Sequence, residues 1–124
     1  MVIRGPATSA YDEDLGVLTL GDWHNQTTDQ LYPGAATSTT GPPHAQNGLI
    51  NGTNVFGDSG QRFEFKKPFE KEKKYRIRLI NHAIDTHYKF AIDGHKFTVI
   101  SADLTPIVPY DTDVLNIAIA QRYD

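Results

Sequence analysis

"IDTHYKFAIDGHKFTVI", residues 84–100, decides the fold, because two runs of alternating apolar and polar residues flank an Asp93-Gly94 pair. Such alternation is typical of half-buried strands. An Asp-Gly pair between two strands predicts a two-residue hairpin with a type I′ turn, since that turn needs positive φ at both positions. We therefore predict an antiparallel hairpin centred on these two residues.

The predicted register gives this hairpin one apolar face and one polar face. Its apolar pairs are Ile92 with His95, Phe90 with Phe97 and Tyr88 with Val99. Residues at the positions between them are mostly polar, so pattern and register agree. His95 is accordingly expected at the turn end of the buried face.

Short alternating runs separated by Gly and Pro continue along the chain in both directions. Strands are predicted in "DLGVLTLGDW" near residues 15–22, "GLINGTNVFG", "RFEFK", "KYRIRLIN" and "TDVLNIAIAQRYD". Residues 24–48 are rich in Thr, Gly and Pro and have no period, so we predict a long surface loop there. At least six strands and no convincing long helix indicate an antiparallel β-sandwich or barrel, built as one domain over residues 1–124.

Composition excludes several classes of protein. With 39% hydrophobic and 22% charged residues, the chain has enough apolar surface for a folded core. No apolar run is long enough to span a bilayer. The absence of cysteine excludes disulfides, thiolate zinc sites, cysteine nucleophiles and a blue-copper centre in this chain. A net charge of −3 argues against a dedicated binder of polyanions.

The histidines raise the question of a metal site. The chain has five of them, His24, His44, His82, His87 and His95, and none forms an H-x-H or H-x3-H pair. His82 and His87 flank a loop that also holds Asp85, which leaves a 2-His-1-carboxylate centre as the strongest metal reading. Without a spacing that requires a metal, we predict that these histidines belong to the scaffold.

The motifs that would indicate nucleic-acid binding or hydrolytic catalysis are weaker signals than the histidines. Eight of the twelve Lys and Arg residues fall between Arg62 and Arg78, as in some single-strand-binding surfaces. Glutamates are interleaved among them, however, and Phe63, Phe65 and Tyr75 are predicted on the opposite, core face with Ile77 and Leu79. We therefore expect a solvated charged face that includes Arg76 and Arg78. Ser59 in "GDSG" lacks the strand–turn–helix context of a catalytic serine.

Two sequons mark candidate modification sites. Asn25-Gln26-Thr27 and Asn51-Gly52-Thr53 are glycosylation acceptors only in a secreted protein. The start "MVIRGPATSAYDEDLG" has no basic stretch followed by an apolar one, so it is not a signal peptide. If the natural protein is secreted, its signal is expected upstream of this sequence.

Several stretches together resemble one family. "YDEDLGVLTLGDW", "GLINGTN", "KYRIRLIN", "HYKFAIDGHKFTVISADLTPIVPY" and "TDVLNIAIAQRYD" follow one another from about Tyr11 to Asp124. In this order they resemble the second domain of fungal laccases, which are secreted, three-domain multicopper oxidases. The resemblance implies a Greek-key, cupredoxin-like sandwich. Departures are small: "AQRYD" where Gly is common before Gln, and "DWHN" where an aromatic residue often follows Trp.

The resemblance also bears on cofactor and partners. In laccases the copper ligands are H-x-H pairs and an H-C-H motif of the first and third domains, so this chain is expected to bind no copper itself. The resemblance implies three partners: the flanking cupredoxin domains, a phenolic substrate and dioxygen. It implies no binding of nucleic acid and no membrane. Residues 1–10 resemble the linker from the first domain, and the chain resembles a fragment of the longer enzyme.

One substrate-binding residue is implied. Laccases carry an acidic residue on the loop after the R-x-R-L strand, where it faces the type 1 copper pocket and binds the phenolic hydroxyl. A gapless alignment places Asp85 there. A carboxylate at this place can accept the proton that a phenol loses with its electron. From the residues alone, the favoured reading of Asp85 is a solvated loop aspartate or a turn cap.

The sequence thus supports two functions. The first is the middle domain of a laccase-type oxidase, contributing scaffold and part of the substrate pocket, with the isolated chain inactive. The second is a stand-alone β-sandwich binding module without redox activity. Length favours the second, since a laccase needs three domains, and sequence content favours the first.

Overall fold

The computed structural model describes residues 5–124, which form ten strands and one helix. In chain order the elements are β1 (Glu13–Trp23), α1 (Thr28–Thr37), β2 (Asn47–Ile50), β3 (Val55–Phe56), β4 (Ser59–Gly60), β5 (Tyr75–Asn81), β6 (Tyr88–Phe90), β7 (Phe97–Ala102), β8 (Thr105–Thr112), β9 (Leu115–Ile117) and β10 (Arg122–Tyr123).

A six-stranded sheet with the order β2-β1-β5-β10-β7-β8 faces a two-stranded sheet of β6 and β9. Strands β3 and β4 form a separate small hairpin. The chain passes from the large sheet to the small one at β6, returns at β7, crosses again at β9 and returns at β10. One pair departs from the antiparallel arrangement: β1 and β5 run parallel, with Glu13 opposite Tyr75. The predicted all-β sandwich is confirmed.

The core lies between the two sheets. Strands β1, β5 and β7 of the large sheet supply Leu18, Leu20, Leu79 and Val99, and β9 supplies Leu115 and Ile117. Ile117 is fully buried, and Asn116 between the two core residues of β9 is exposed. Because side chains alternate between the two faces of a strand, three residues are enough for β9 to place two side chains in the core.

The predicted hairpin at residues 84–100 is wrong in its pairing. Strand β6 pairs with β9, with Tyr88 opposite Ile117, and β7 pairs with β8, with Phe97 opposite Thr112. The connection between β6 and β7 is therefore an arch that crosses from one sheet to the other. Phe90 and Phe97 still meet, with ring centroids 5.5 Å apart, but across the core instead of along a ladder.

The turn itself is present, and its type differs from the prediction. The His95 N–H donates to the Ile92 carbonyl at 3.0 Å. Only Gly94 of the two turn residues has a positive φ, +72°, which fits type II and not type I′. His95 is exposed, contrary to its predicted place on the buried face, and its Nδ1 lies 2.8 Å from the Asp93 carbonyl oxygen.

Within the predicted loop of residues 24–48 the structure contains α1. No residue of this helix is buried, and it includes Pro33, so no apolar period marks it. The local signal is Thr27-Thr28-Asp29-Gln30, in which the Gln30 side-chain oxygen accepts a hydrogen bond from the Thr27 N–H at 3.0 Å. This is half of a capping box, the usual sequence mark of a helix start.

The predicted strand "RFEFK" is not a strand in the described part of the chain. Its alternation arises from an aromatic chain in which Phe63 contacts Phe65, Phe65 contacts Phe69, and Phe69 contacts Tyr75, with ring centroids 4.9–5.0 Å apart. Edge and tilted ring contacts of this kind favour a fixed arrangement without a β-ladder.

The expected solvated basic face is wrong for two of its members. The Arg76 side chain is only 9% exposed and pairs with Asp124, and the Arg78 side chain is 13% exposed and pairs with Asp14. Arg76 also lies over the Tyr11 ring, 5.3 Å from its centroid. These two cations fasten strand β5 to the N-terminal segment and to the end of β10.

Residues 1–10 were predicted to resemble a linker, and residues 1–4 lie outside the described part of the chain. Residues 5–10 form neither helix nor strand. Thr8 contacts the large sheet, because its hydroxyl donates to the Ile100 carbonyl at 2.9 Å. The linker role stays a prediction.

The turn at Gly94 gives a stability prediction with an internal control. A Cβ at Gly94 or at Gly34 would meet no atom within 4 Å, but Gly94 has φ +72° and Gly34 lies in α1. Gly94→Ala should lower the free energy of unfolding by about 1–2 kcal/mol, since a Cβ disfavours left-handed backbone, and Gly94→Val should cost more. Gly34→Ala should be neutral or stabilising by up to about 1 kcal/mol. Urea unfolding of the variants measures both, and equal effects at the two glycines would contradict the assigned turn.

Candidate functional site

The loop between β5 and β6, residues 82–87, carries the implied substrate residue. Asp85 lies near its middle and is exposed. Strand β5 ends at Asn81 because the chain there leaves the large sheet for the small one. The predicted position of Asp85 on a loop directly after the R-I-R-L strand is thus what the structure shows, and its role stays a prediction.

Asp22, near the end of β1, binds this loop through its carboxylate. Oδ1 accepts a hydrogen bond from the Ile84 N–H at 2.9 Å. Oδ2 accepts from the Asp85 N–H at 3.1 Å, the Thr86 N–H at 3.2 Å and the Thr86 hydroxyl at 2.9 Å. Three consecutive backbone N–H groups therefore converge on one carboxylate.

This environment sets the charge state of Asp22. Burial raises the pKa of its carboxyl, but the hydrogen bonds from Ile84, Asp85 and Thr86 together outweigh burial and hold the pKa below the ordinary value of 3.8. Hydrogen bonds donated to a carboxylate favour its ionised form. Asp22 is therefore anionic in the folded domain at neutral pH.

Asn81 fixes the loop from the other side. Its side chain is fully buried, and its Nδ2 donates to the Thr86 carbonyl at 2.9 Å and to the Ile117 carbonyl at 3.1 Å. Its Oδ1 accepts from the Ala83 N–H at 2.9 Å. Every one of these partners is a backbone group, so Asn81 fixes the path of the loop main chain, as Asp22 does from β1.

Two further contacts lie next to Asp22, at Gly21. The Tyr88 hydroxyl donates to the Gly21 carbonyl at 2.6 Å, and burial together with the Asp22 charge raises the pKa of Tyr88, so the phenol stays protonated. His82 packs its ring against Gly21, where a Cβ would lie 2.5 Å from the His82 Cε1. His82 thus packs on Gly21, and a side chain at Gly21 would require the exposed His82 ring to move.

Large apolar side chains are exposed beside both carboxylates in the sequence. Trp23, next to Asp22, is 58% exposed, and Ile84, next to Asp85, is 67% exposed. Each of the two offers apolar surface next to a carboxylate-bearing residue. Asp22 and Trp23 were missed by the sequence reasoning, since Asp22 meets its partners across 62 to 64 residues.

The histidines do not assemble with carboxylates into a metal site. Among residues 5–124, no group of three or more His, Asp or Glu side chains is placed to hold a metal ion. The candidate set of His82, Asp85 and His87 is exposed and belongs to the same loop without forming such a group. His24 has a buried Nδ1 that finds no hydrogen-bond partner in the described residues. The residues present therefore do not fit a copper centre.

The remaining candidate residues lie apart from this loop. Asn25 and Asn51 are exposed, and Asn51 Oδ1 accepts from the Thr19 N–H at 2.7 Å. Ser59 donates its hydroxyl hydrogen to the Phe56 carbonyl at 2.9 Å inside the β3–β4 turn, which is not a nucleophile's environment. An open groove of about 700 Å³ between the sheets is lined by Ile77, Phe90 and Leu115, and Asp85 is not part of it. No helix within residues 5–124 has the length and apolar character to cross a membrane.

Comparison with known proteins defines the class. A solved laccase from Botrytis aclada superposes with a TM-score of 0.88 at 46% identity, over 98% of this chain and 24% of that one. The cupredoxin-like sandwich is thereby confirmed. The family model described as multicopper oxidase matches residues 14–124. The chain belongs to the multicopper oxidase family.

Curated relatives agree with this assignment. The protein named Laccase-1 from Botryotinia fuckeliana is 47% identical over 124 residues, covering all of this chain and 21% of that protein. Dihydrogeodin oxidase from Aspergillus terreus is 36% identical over 132 residues, and this chain covers 22% of its length. The resemblance to fungal laccases is confirmed, and the chain spans about a fifth of the length of these relatives.

The depressed pKa of Asp22 predicts a loss of stability in acid. Above pH 3.8 its carboxylate is ionised in both the folded and the unfolded chain, and its hydrogen bonds contribute fully. As the pH falls, the unfolded chain binds a proton first, so this contribution disappears through the lower folded-state pKa. The melting temperature of Asp22→Asn should therefore lie below that of the parent at pH 6, and the difference should shrink as the pH falls below 3.8. Thermal melts across this range test it; a constant difference would contradict the assigned charge.

Proposed function

We propose that the chain is the middle domain of a secreted fungal laccase. The whole enzyme would oxidise phenols by one electron at a time and reduce dioxygen to water. The proposal is supported by the identity of 47% to a protein named Laccase-1 and by the fold shared with a solved laccase. In this assignment the chain contributes scaffold and one wall of the substrate pocket.

The observation that carries the proposal is the state of the Asp85 loop. Asp85 is exposed, whereas its own backbone N–H and those of both neighbours are bonded to Asp22. The fixed backbone gives the Asp85 side chain a defined place at the surface. An exposed carboxylate on a fixed loop, beside exposed apolar side chains, suits a small aromatic ligand that carries one polar group.

The chemistry assigned to Asp85 is proton acceptance. A phenol that loses one electron becomes a strong acid, and its O–H bond breaks as the phenoxyl radical forms. The electron goes to the oxidising centre of the enzyme, and the proton goes to the Asp85 carboxylate within hydrogen-bond reach. Trp23 and Ile84 offer apolar surface for the ring.

Copper and the flanking domains are the partners that this function requires. Because the described residues do not fit a copper centre, its ligands are assigned to other domains of the same polypeptide. The extracellular location is likewise part of the proposal. In a secreted enzyme Asn25 and Asn51, both exposed, would be the glycosylation acceptors.

The Asp85 role is tested by Asp85→Asn in an oxidase that carries this domain together with its copper-binding domains. Asparagine keeps the size and removes the proton acceptor. Losing a hydrogen bond to a charged group costs about 1.5–3 kcal/mol, so kcat/KM for a phenol should fall about ten- to a hundredfold. A non-phenolic one-electron donor releases no proton and should be affected much less.

Steady-state kinetics on both donors decide the matter, with Asp58→Asn as the matched control, since Asp58 is another exposed turn aspartate. Equal losses on both donors would indicate a packing role for Asp85. An unchanged phenol reaction would show that another residue accepts the proton.

The copper assignment has its own test. The folded 124-residue chain should retain no stoichiometric copper after dialysis, because it has no cysteine and its histidines form no ligand group in the described residues. Elemental analysis measures this. One copper ion per chain would refute the assignment of the copper ligands to other domains.

A further inference from the structure

We propose that Asp22 is a positioning residue for the substrate carboxylate Asp85. This inference rests on the proposed function, because it assigns to Asp22 the task of holding Asp85 where a bound phenol meets it. Asp22 acts through the backbone of the loop and has no contact with substrate in this account.

The first argument is geometric. Asp22 accepts from the residue before Asp85, from Asp85 itself and from the residue after it, at 2.9, 3.1 and 3.2 Å. Three consecutive N–H groups aimed at one carboxylate define the direction of each peptide plane. The direction of the Asp85 Cα–Cβ bond is thereby defined as well.

The second argument is that two side chains, Asn81 and Asp22, hold the loop from two different sides. Asn81 binds Ala83 and Thr86 from the core side, and Asp22 binds residues 84–86 from β1. Thr86 takes part in both sets, since its carbonyl accepts from Asn81 and its hydroxyl donates to Asp22. Asp85 thus lies between Ala83 and Thr86, both held by Asn81, and its own N–H is held by Asp22.

The third argument concerns the different roles of the Asp22 carboxylate and the Asp85 side chain, whose backbone N–H Asp22 binds. All four hydrogen bonds of Asp22 come from the loop, and they favour its ionised form. Such a group is a poor proton acceptor, because protonation would break bonds that the loop needs. Asp85 is exposed and is available for the proton. In this assignment Asp22 holds the loop, and Asp85 accepts the proton.

The test is Asp22→Asn in an oxidase carrying this domain, measured with a phenol and with a non-phenolic one-electron donor. The variant keeps the size of the side chain but presents an NH₂ group toward donors. A misplacement of about 1 Å costs up to about a hundredfold in rate, so we expect kcat/KM for the phenol to fall about tenfold. The non-phenolic donor should change by less than about threefold, because no proton has to reach Asp85.

Asp14→Asn is the matched control. Asp14 is also a carboxylate of β1 with a lowered pKa, set by a hydrogen bond from Arg78, but it binds Arg78 and Gly16 instead of the loop. It should leave the ratio of phenol to non-phenol activity unchanged. A loss that is equal for both donors in Asp22→Asn, or a change of ratio in Asp14→Asn, would overturn the inference.

A double variant separates this inference from the proposed function. With Asp85 already replaced, Asp22→Asn should add no further phenol-selective loss, and an additive loss would overturn the positioning role. If Asp85→Asn alone shows no selective loss, the proposed function fails. If Asp85→Asn is selective and Asp22→Asn is not, only the positioning role fails.

A gentler variant covers the case in which Asp22→Asn does not yield copper-loaded enzyme. Thr86→Val removes one of the four donors to Asp22 and leaves the carboxylate in place. It should give a smaller loss of the same selectivity. A Thr86→Val enzyme that loses both activities equally would overturn the inference.

Discussion

A buried amide holds the two sheets and the loop between them together. The Asn81 side chain is fully buried, and such a group destabilises a fold unless its hydrogen bonds are made. It satisfies them on Ile117 of the small sheet and on Ala83 and Thr86 of the loop. Its own N–H and carbonyl bind Gln121 and Ala120, in the turn before β10. The crossing from one sheet to the other is possible at Asn81 because this one residue satisfies backbone groups on both sides.

The same arrangement explains what the sequence could and could not predict. Alternation identified β1, β5 and β7, because a half-buried strand imposes a period of two on its own residues. It could not distinguish a hairpin from an arch at Asp93-Gly94, since both need a tight turn between apolar runs. The helix α1 escaped because nothing on it is buried. The position of Asp85 came from a resemblance and agrees with the loop seen here, whereas Asp22 has no local mark, because its partners lie 62 to 64 residues away.

Under the proposed function, this domain contributes to a metalloenzyme's pocket although residues 5–124 hold no group of metal ligands. Its charged residues are used in pairs within the fold, such as Arg76 with Asp124 and Arg78 with Asp14, or are bonded to backbone, as Asp22 is. Asp85 is left exposed on a loop that the domain has fixed. A rigid scaffold that presents one reactive side chain is a common division between sheet and loop.

The parallel pairing of β1 with β5 has a consequence for how the molecule folds. The strands β7 and β8 are joined by a short turn and can pair locally, but Glu13 meets Tyr75 only after a loop of about sixty residues has closed. Contacts of such long sequence separation slow folding. Since Asp22 belongs to β1 and the Asp85 loop follows β5, the loop acquires its shape only when this distant pairing is complete. An incompletely folded domain would therefore lack an ordered Asp85 loop even where its local turns were already native.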